Sequence, residues 1–210
     1  IGGIAEIKIV PDYRNINDDT FVTKLNSNGT EIWTKTIGTK DLDDMPTSSV
    51  FGTDGYLYIS GFRFKFENNT DKEEYETFLT KLDTDGNEIW TKLYGTERNY
   101  VSGELSFGED GYLYLDGTSF GVEKQDNNYG FLIKIDTEGE EVWTKYFGGS
   151  FDVESGRSLL TNNESIYILG RTQGGSLVDN LYKGGTDSIL LEFDDKNVEN
   201  FEILGNKLYG

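Results

Sequence analysis

One segment of this chain occurs three times in nearly the same form, and this repetition constrains the fold more than any other feature. The three copies are FVTKLNSNGTEIWTKTIG (21–38), FLTKLDTDGNEIWTKLYG (78–95) and FLIKIDTEGEEVWTKYFG (131–148). A more divergent fourth copy, ILLEFDDKNVENFEILG, occupies residues 189–205, and the copies begin 57, 53 and 58 residues apart. A period of this size indicates an array of similar supersecondary units, each of which buries its apolar faces by stacking on its neighbours.

Each repeat predicts four β-strands. The segments YLYISG (56–61), YLYLDG (112–117) and IYILG (166–170) are apolar at both alternating positions, which predicts strands that are covered on both faces. A shorter stretch before each of them supplies the first strand. The 18-residue segment supplies the third and fourth strands as a hairpin, and its loop, which ends in Gly29, Gly86 or Gly139, suits a type I turn with a left-handed glycine and a bulge.

A four-stranded unit of this length has the size of a propeller blade. The sequence therefore predicts an all-β fold, a β-propeller of about four four-stranded blades in one domain over residues 1–210. It is a closed four-bladed ring, an arc of a larger propeller, or an arc completed by another copy of the chain. The predicted blades are 1–38 together with 206–210, then 39–95, 96–148 and 149–205. In the closed form, Lys207–Tyr209 is expected to lie against an Ile4–Val10 strand, so that both chain ends share the first blade.

The order of residues within the repeat resembles that of a known family. Apolar-Lys-apolar, a turn ending in Gly, Trp four residues later, then an acidic loop and Asp-Gly-aromatic-apolar-Tyr is similar to the bacterial β-propeller repeat called the SBBP repeat. This resemblance implies a propeller scaffold and no particular activity. The stretch KLDTDGNEIW (81–90) is also similar to the tryptophan-docking motif of pyrroloquinoline-quinone enzymes. Its Asp-to-Gly spacing is one residue shorter, however, and shared blade geometry explains the similarity better than a shared cofactor.

Composition limits the partners and the chemistry. The 38 acidic and 19 basic residues give a net charge of −19, which repels phosphate backbones and anionic lipid surfaces, so we expect no nucleic-acid partner. No apolar run approaches 18 residues, so we expect no membrane insertion. The chain has no cysteine and no histidine, and it therefore lacks disulfides and the commonest general base. Together with the resemblance, these features favour an extracellular or cell-surface protein of bacterial or viral origin.

Long, dissimilar connections are expected to gather at one end of the sheets, whereas the tight turns lie at the other end. These connections are 39–46, 62–76, 96–101, 118–128, 150–155 and 171–187. Variable loops on a rigid scaffold are where recognition usually resides. Aromatic rings in or beside them, such as Tyr75, are suited to stack on a sugar or to fill a partner's pocket. The residues selected as candidates for binding a glycan or a protein are Arg98, Asn99, Tyr100, Phe120, Phe151 and Tyr182.

Two acidic groups in these loops are candidate calcium ligands, because oxygen-only clusters suit a hard cation. The candidate metal-binding residues are Asp41, Asp43, Asp44, Asp152 and Glu154. No other cofactor is expected. The DTDG and DTEG turns, which carry Asp83 and Asp136, are interpreted instead as aspartates that cap their own turn amides.

Three classes of function remain open at this stage. The favoured one is a non-catalytic extracellular recognition or adhesion scaffold that binds through the long-loop face. The second is a structural component of an extracellular assembly, such as a surface layer, a filament or a virion appendage, in which further copies of the chain associate. The third is a glycosidase-like enzyme with paired carboxylates, since propellers can place acids from successive blades around a central pocket.

Overall fold

The computed structural model describes residues 19–40, 42–66, 73–95, 99–120, 128–148, 152–162, 165–173, 186–194 and 203–209. These residues form β-strands and tight turns, and they contain no helix. The strands are β1 (Thr20–Leu25), β2 (Glu31–Ile37), β3 (Asp43–Phe51), β4 (Leu57–Phe66), β5 (Glu73–Leu82), β6 (Glu88–Tyr94), β7 (Asn99–Phe107), β8 (Leu113–Phe120), β9 (Tyr129–Ile135), β10 (Glu141–Gly148), β11 (Asp152–Thr161), β12 (Ser165–Gln173), β13 (Thr186–Asp194) and β14 (Ile203–Tyr209). The predicted all-β class is confirmed.

The strands form four antiparallel sheets that follow one another along the chain. Sheet 1 contains β1 and β2, sheet 2 contains β3 to β6, sheet 3 contains β7 to β10, and sheet 4 contains β11 to β14. Within sheets 2, 3 and 4, each strand is hydrogen-bonded to the strand next to it in sequence. Each of these sheets is therefore a four-stranded meander, which places alternate connections at opposite ends of the sheet.

Successive sheets pack face to face, with an apolar cluster in each interface. We call the face of a sheet toward the next sheet in sequence its forward face, and the opposite face its backward face. Sheets 1 and 2 enclose Ile37, Leu57, Ile59, Phe78 and Leu82. Sheets 2 and 3 enclose Tyr58, Leu79, Tyr94, Tyr100, Leu105, Leu113, Leu115, Phe131, Ile133 and Ile135. Sheets 3 and 4 enclose Tyr114, Leu132, Phe147, Leu159, Ile166, Ile168, Ile189, Leu191 and Phe193.

The second strand of sheet 2 shows why its sequence is apolar at both alternating positions. Leu57 and Ile59 lie on the backward face, whereas Tyr58 lies on the forward face. All three side chains are buried. Both faces of a strand between two stacked sheets are covered, as the sequence pattern predicts.

The hairpins between third and fourth strands have the predicted turn. Gly29, Gly86 and Gly139 have φ values of 79°, 76° and 80°, and the Gly86 amide donates to the Asp83 carbonyl at 3.1 Å. The strand register shifts beside each turn, as between Lys81 and Leu82 in sheet 2. The left-handed glycine and the bulge are both confirmed.

The tryptophans of the fourth strands connect successive sheets. The ring of Trp33 lies over Gly86 in the next sheet, and the ring of Trp90 lies over Gly139. The Trp33 indole N–H also donates to the Thr84 carbonyl at 3.3 Å. A glycine is therefore required in each receiving turn for two reasons, its positive φ and the closely packed ring.

The end of the chain differs from the sequence prediction. Residues 206–209 were assigned to the first blade, but they belong to β14 and pair with β13, with Lys207 opposite Leu190. Residues 206–209 pair with residues 188–191 of β13 and so satisfy backbone groups of that strand. The proposed Ile4–Val10 partner strand lies outside the described residues.

The strands also extend further into the long connections than predicted. The β4–β5 ladder continues as far as Phe66 and Glu73, although this part was expected to be a loop. The predicted loop residues Asp43, Asp44, Asn99, Tyr100, Phe120, Asp152 and Glu154 all lie in strands.

Candidate functional site

The candidate binding residues separate into different environments. Arg98, Phe151 and Tyr182 lie outside the described residues. Asn99 begins β7, and its side-chain oxygen accepts a hydrogen bond from the Tyr75 amide at 3.1 Å. Phe120 ends β8 and is partly exposed.

Tyr100 is not a surface residue, which corrects its selection as a binding residue. Its side chain is only 4% exposed and its ring stacks on Phe131 with centroids 4.4 Å apart. Its hydroxyl is hydrogen-bonded to that of Tyr146. Gly95, with φ 72°, leaves room for the ring, because a Cβ at this position would overlap it. Tyr100 therefore stabilises the interface between sheets 2 and 3.

An aromatic cluster lies where the long connections leave sheets 2 and 3. We define it as Phe62, Phe64, Tyr75 and Phe120, all of which are partly exposed. Phe64 and Tyr75 are opposite one another in the β4–β5 ladder, with centroids 5.6 Å apart, and Phe62 lies 6.0 Å from Phe64. The Phe120 ring, from sheet 3, lies 6.1 Å from Tyr75. The cluster therefore joins two sheets in one aromatic surface.

Polar contacts fix the hairpin that carries this cluster. On the opposite face of the ladder, the guanidinium of Arg63 donates to the Glu76 carboxylate, with an Nε–Oε2 distance of 2.8 Å. The bond from the Tyr75 amide to Asn99 ties the same hairpin to sheet 3. The rings are thus held in place by backbone ladders and by side chains that are already paired.

Part of this cluster is predicted by the sequence. Tyr75 and Phe120 are among the predicted aromatics in or beside the loops, whereas Phe62 and Phe64 are not. Their signal was the alternation in Phe-Arg-Phe-Lys-Phe (62–66), which is typical of a strand that continues with one aromatic face.

The candidate calcium ligands do not converge in the described residues. Asp43 and Asp44 are neighbours in β3, and adjacent residues of a strand point to opposite faces. Asp44 is buried and accepts bonds from the Thr39 amide at 2.7 Å and the Thr39 hydroxyl at 3.2 Å. Burial raises the pKa of Asp44, although the bonds from Thr39 oppose this effect.

The remaining candidate ligands are not described in enough detail to test the calcium prediction. Asp41 lies outside the described residues, as do the side chains of Asp152 and Glu154. Across the described part of the chain, no group of three or more acidic residues is placed to hold a metal ion. Calcium binding stays a prediction.

The lysine that recurs in the repeats holds successive sheets together. Lys81 is buried, and its Nζ donates to the Thr137 carbonyl of the next sheet at 2.9 Å. The same Nζ lies 3.3 Å from Asp54 Oδ2 and 4.3 Å from the ring centroid of Tyr56. Lys134 repeats the arrangement with Asp110, at 2.8 Å. These contacts support a packing role for the lysines rather than a ligand-binding one.

The aspartates paired with these lysines have perturbed acidity. Burial raises the pKa of Asp54, but the hydrogen bond from the Tyr58 hydroxyl, at 2.7 Å, and the contact with Lys81 outweigh it, so the pKa is lowered. Burial also raises the pKa of Asp110, but hydrogen bonds from Lys134 and Tyr114 outweigh this effect, so the pKa is lowered. Both carboxylates therefore stay ionised in the folded protein near neutral pH.

Other ordered carboxylates also contact the protein's own backbone. Asp83 Oδ1 accepts from the amides of Asp85 and Asn87 at 2.9 and 2.8 Å, and Asp136 repeats this in sheet 3. The interpretation of these aspartates as turn caps is confirmed. Asp116 is fully buried in β8 and accepts from the Glu104 amide at 2.7 Å, where β7 has its bulge.

Comparison with known proteins found no protein-family model that matches the chain and no curated protein of significantly similar sequence. Across the described residues, no helix is long and apolar enough to cross a membrane.

Proposed function

We propose that this chain is a propeller-type recognition scaffold without catalytic activity, which binds a glycan or a protein at the end of the sheets where the long connections lie. Three consecutive four-stranded meanders, stacked face to face in chain order, support blade architecture. The resemblance of the repeat to the SBBP family supports the same scaffold. An extracellular or cell-surface location belongs to this proposal.

The observation that carries the proposal is the aromatic cluster. Four partly exposed rings from two sheets form one surface, and they sit on paired strands rather than on a free loop. Aromatic side chains supply large apolar contact area with little conformational entropy to lose, which suits a preorganised binding surface.

A neutral saccharide is the ligand class that we favour. The ring faces of Phe62, Phe64 and Tyr75 suit the apolar C–H faces of a sugar, and the chain's net charge of −19 disfavours anionic glycans. A protein loop that inserts an apolar side chain between the rings is the second ligand class.

The test uses a paired variant of the cluster and a matched control. Tyr75→Ala combined with Phe120→Ala removes the ring contact between the two sheets. The control is Phe51→Ala, because Phe51 is also an exposed aromatic, 46% exposed, but lies at the tight-turn end of sheet 2. Binding is screened on an array of neutral glycans and then measured by calorimetry.

We expect the paired variant to weaken binding at least about tenfold, which corresponds to about 1.4 kcal/mol, and the control to bind as the parent does. Equal binding by the parent and the paired variant would show that the binding site lies outside the aromatic cluster. A parent chain that binds no glycan, but captures a protein whose binding the paired variant loses, would select the protein ligand.

A further inference from the structure

Among the described residues, the two ends of the stack of sheets carry uncovered faces built on the positions of the same repeated interface, although sheet 4 has Glu192 and Gly205 where sheet 2 has Lys81 and Trp90. Inside the stack, every forward face is covered by the backward face of the following sheet. Among the described residues, the forward face of sheet 4 and the backward face of sheet 1 lack such a cover. The residues that line these two end faces can therefore be identified from the equivalent positions in the interior interfaces.

The forward face of sheet 4 has the apolar residues of an interior interface. Tyr167 is opposite Glu192 in sheet 4, just as Tyr58 is opposite Lys81 in sheet 2. Leu160, the partner of Tyr167 on β11, is 64% exposed. Its counterpart in sheet 2, Val50, packs against the cluster that sheet 3 completes. An aliphatic side chain that is covered in the interior is thus exposed at the end.

Leu169 adds to this uncovered surface. It is exposed and is paired with Leu190 on β13. The corresponding pair in sheet 2 is Ser60 with Leu79, and both of these are fully buried beneath sheet 3.

The backward face of sheet 1 is the other end face. Phe21 occupies the repeat position of Phe78 and Phe131, which are 2% and 0% exposed because the preceding sheet covers them. Phe21 remains partly exposed. Thr23 lies on the same face, at the position of Thr80 and Ile133, which are also fully buried.

The turn of sheet 1 receives no ring from any described residue. Gly86 and Gly139 each receive the tryptophan ring of the preceding sheet, whereas a Cβ placed at Gly29 would meet no atom within 4 Å. Gly29 has the same left-handed conformation, with φ 79°, so the turn is preformed. Among the described residues, one forward face and one backward face are therefore left uncovered.

We propose that two copies of this chain associate head to tail, with the forward face of sheet 4 in one copy packed on the backward face of sheet 1 in the other. Because the two faces differ, the contact is heterologous, and such contacts produce rings when the rotation closes. Two copies of four sheets make eight, within the usual range of about four to eight blades for propellers.

Charge makes this association depend on salt. Each copy carries a net charge of −19, so long-range repulsion opposes the apolar contact at low ionic strength. At about 0.15 M salt, this repulsion is screened beyond roughly 8 Å, whereas the apolar contact is unaffected. Association is therefore expected to strengthen as salt rises.

The experiment measures mass by light scattering after size exclusion, at about 0.15 M salt. The parent is expected at twice the chain mass of 23.7 kDa. Leu160→Asp and Thr23→Asp, which place a charge on one end face each, are expected to run as single chains. Ile89→Asp is the control, because Ile89 is a similarly exposed aliphatic residue, 50% exposed, within an interior sheet, and it should leave the mass doubled.

Mixing the two single-chain variants tests the head-to-tail arrangement. Leu160→Asp keeps an intact sheet 1 face and Thr23→Asp keeps an intact sheet 4 face, so an equimolar mixture should form pairs that neither variant forms alone. A parent-like β-rich circular dichroism spectrum and a cooperative melt confirm that both variants are folded, although loss of the pair should lower their melting temperature. A parent that stays a single chain, a Leu160→Asp variant that stays paired, or a mixture that forms no pairs would each overturn the proposal.

Discussion

The interface between sheets 2 and 3 and the outer face of sheet 4 use the same repeat positions, but of these two only the first is covered by residues that the structure describes. In the interior, Lys81 connects Asp54, Tyr56 and the Thr137 carbonyl. In sheet 4, Glu192 takes the place of the lysine and accepts from the Tyr167 hydroxyl at 2.8 Å. The cation that reaches across to the next sheet is therefore absent at the end position.

This difference shows that a repeat position does not by itself determine the energy that a residue contributes. In a stacked array, stability is the sum of each unit's own stability and the terms for its interfaces with neighbours. The same residue type thus contributes strongly when a neighbour covers it and weakly when no neighbour does. The same substitution at equivalent positions in the two settings should therefore cost different amounts of stability.

The largest expected contrast is between Phe131 and Phe21. Phe131→Ala removes a fully buried ring stacked on Tyr100 and should lower the free energy of unfolding by about 3–5 kcal/mol. Phe21→Ala removes a partly exposed ring and should cost about 1 kcal/mol. Urea denaturation in the Leu160→Asp background keeps both measurements on single chains. Equal losses would contradict the comparison.

The second contrast is between Lys81 and Lys24. Lys81→Met leaves the partly buried Asp54 without its cation and should cost about 2–3 kcal/mol. Lys24 is more exposed and donates to the Thr84 carbonyl at 2.6 Å, so Lys24→Met should cost less than about 1 kcal/mol. Adding Asp54→Asn to Lys81→Met should recover part of the loss. If it recovers nothing, the unpaired carboxylate is not the cause.

The third contrast is between two glycines of the same conformation. Gly139→Ala and Gly29→Ala both place a side chain at a left-handed φ, which costs about 1 kcal/mol. At Gly139 the new Cβ also lies 2.9 Å from Lys92 Cγ and 3.1 Å from the Trp90 ring, which should raise the loss to about 2 kcal/mol. Thermal or urea unfolding of single chains measures both. A larger loss at Gly29 would show that its turn is already occupied.

The smallest expected effect is a dependence on acid. The folded-state pKa values of Asp54 and Asp110 are lowered, so their contribution to stability is complete above the ordinary value of 3.8 and is lost as the pH falls through the folded pKa. Replacing both with Asn should reduce the loss of unfolding free energy below that pH by about 1 kcal/mol. Asp44 acts in the opposite direction because its pKa is raised. An unchanged profile in the double variant would assign the acid sensitivity to other groups.

Features that depend on nearby residues were predictable from the sequence. The glycine-closed hairpins require only the turn residues themselves, and Gly29, Gly86 and Gly139 adopt the expected conformation. The number of strands per repeat followed from periodicity. Long-range packing was harder to predict from the sequence. The burial of Tyr100, for example, depends on Phe131 in a different strand and on the space left by Gly95.

The candidate site was only partly predictable for the same reason. Tyr75 and Phe120 meet because two sheets stack, which no local pattern encodes. Phe62 and Phe64 were assigned to a loop because their segment is rich in charged residues, although its alternation indicated a strand. The end of β14 was misplaced because the fourth copy lacks the Trp-Thr-Lys run that marks this strand in the others.

The contacts between sheets join sheets that follow one another in the chain, as in the bonds of Tyr94 with Gly139, Lys81 with Thr137, and Lys24 with Thr84. During synthesis, each sheet therefore meets its docking surface soon after it leaves the ribosome, and the stack can grow in the direction of translation. Growth of this kind keeps few apolar faces exposed at any time. In the proposed head-to-tail pair, only the joining of the two end faces must wait for a finished chain, and this last step alone depends on how many chains the cell has made.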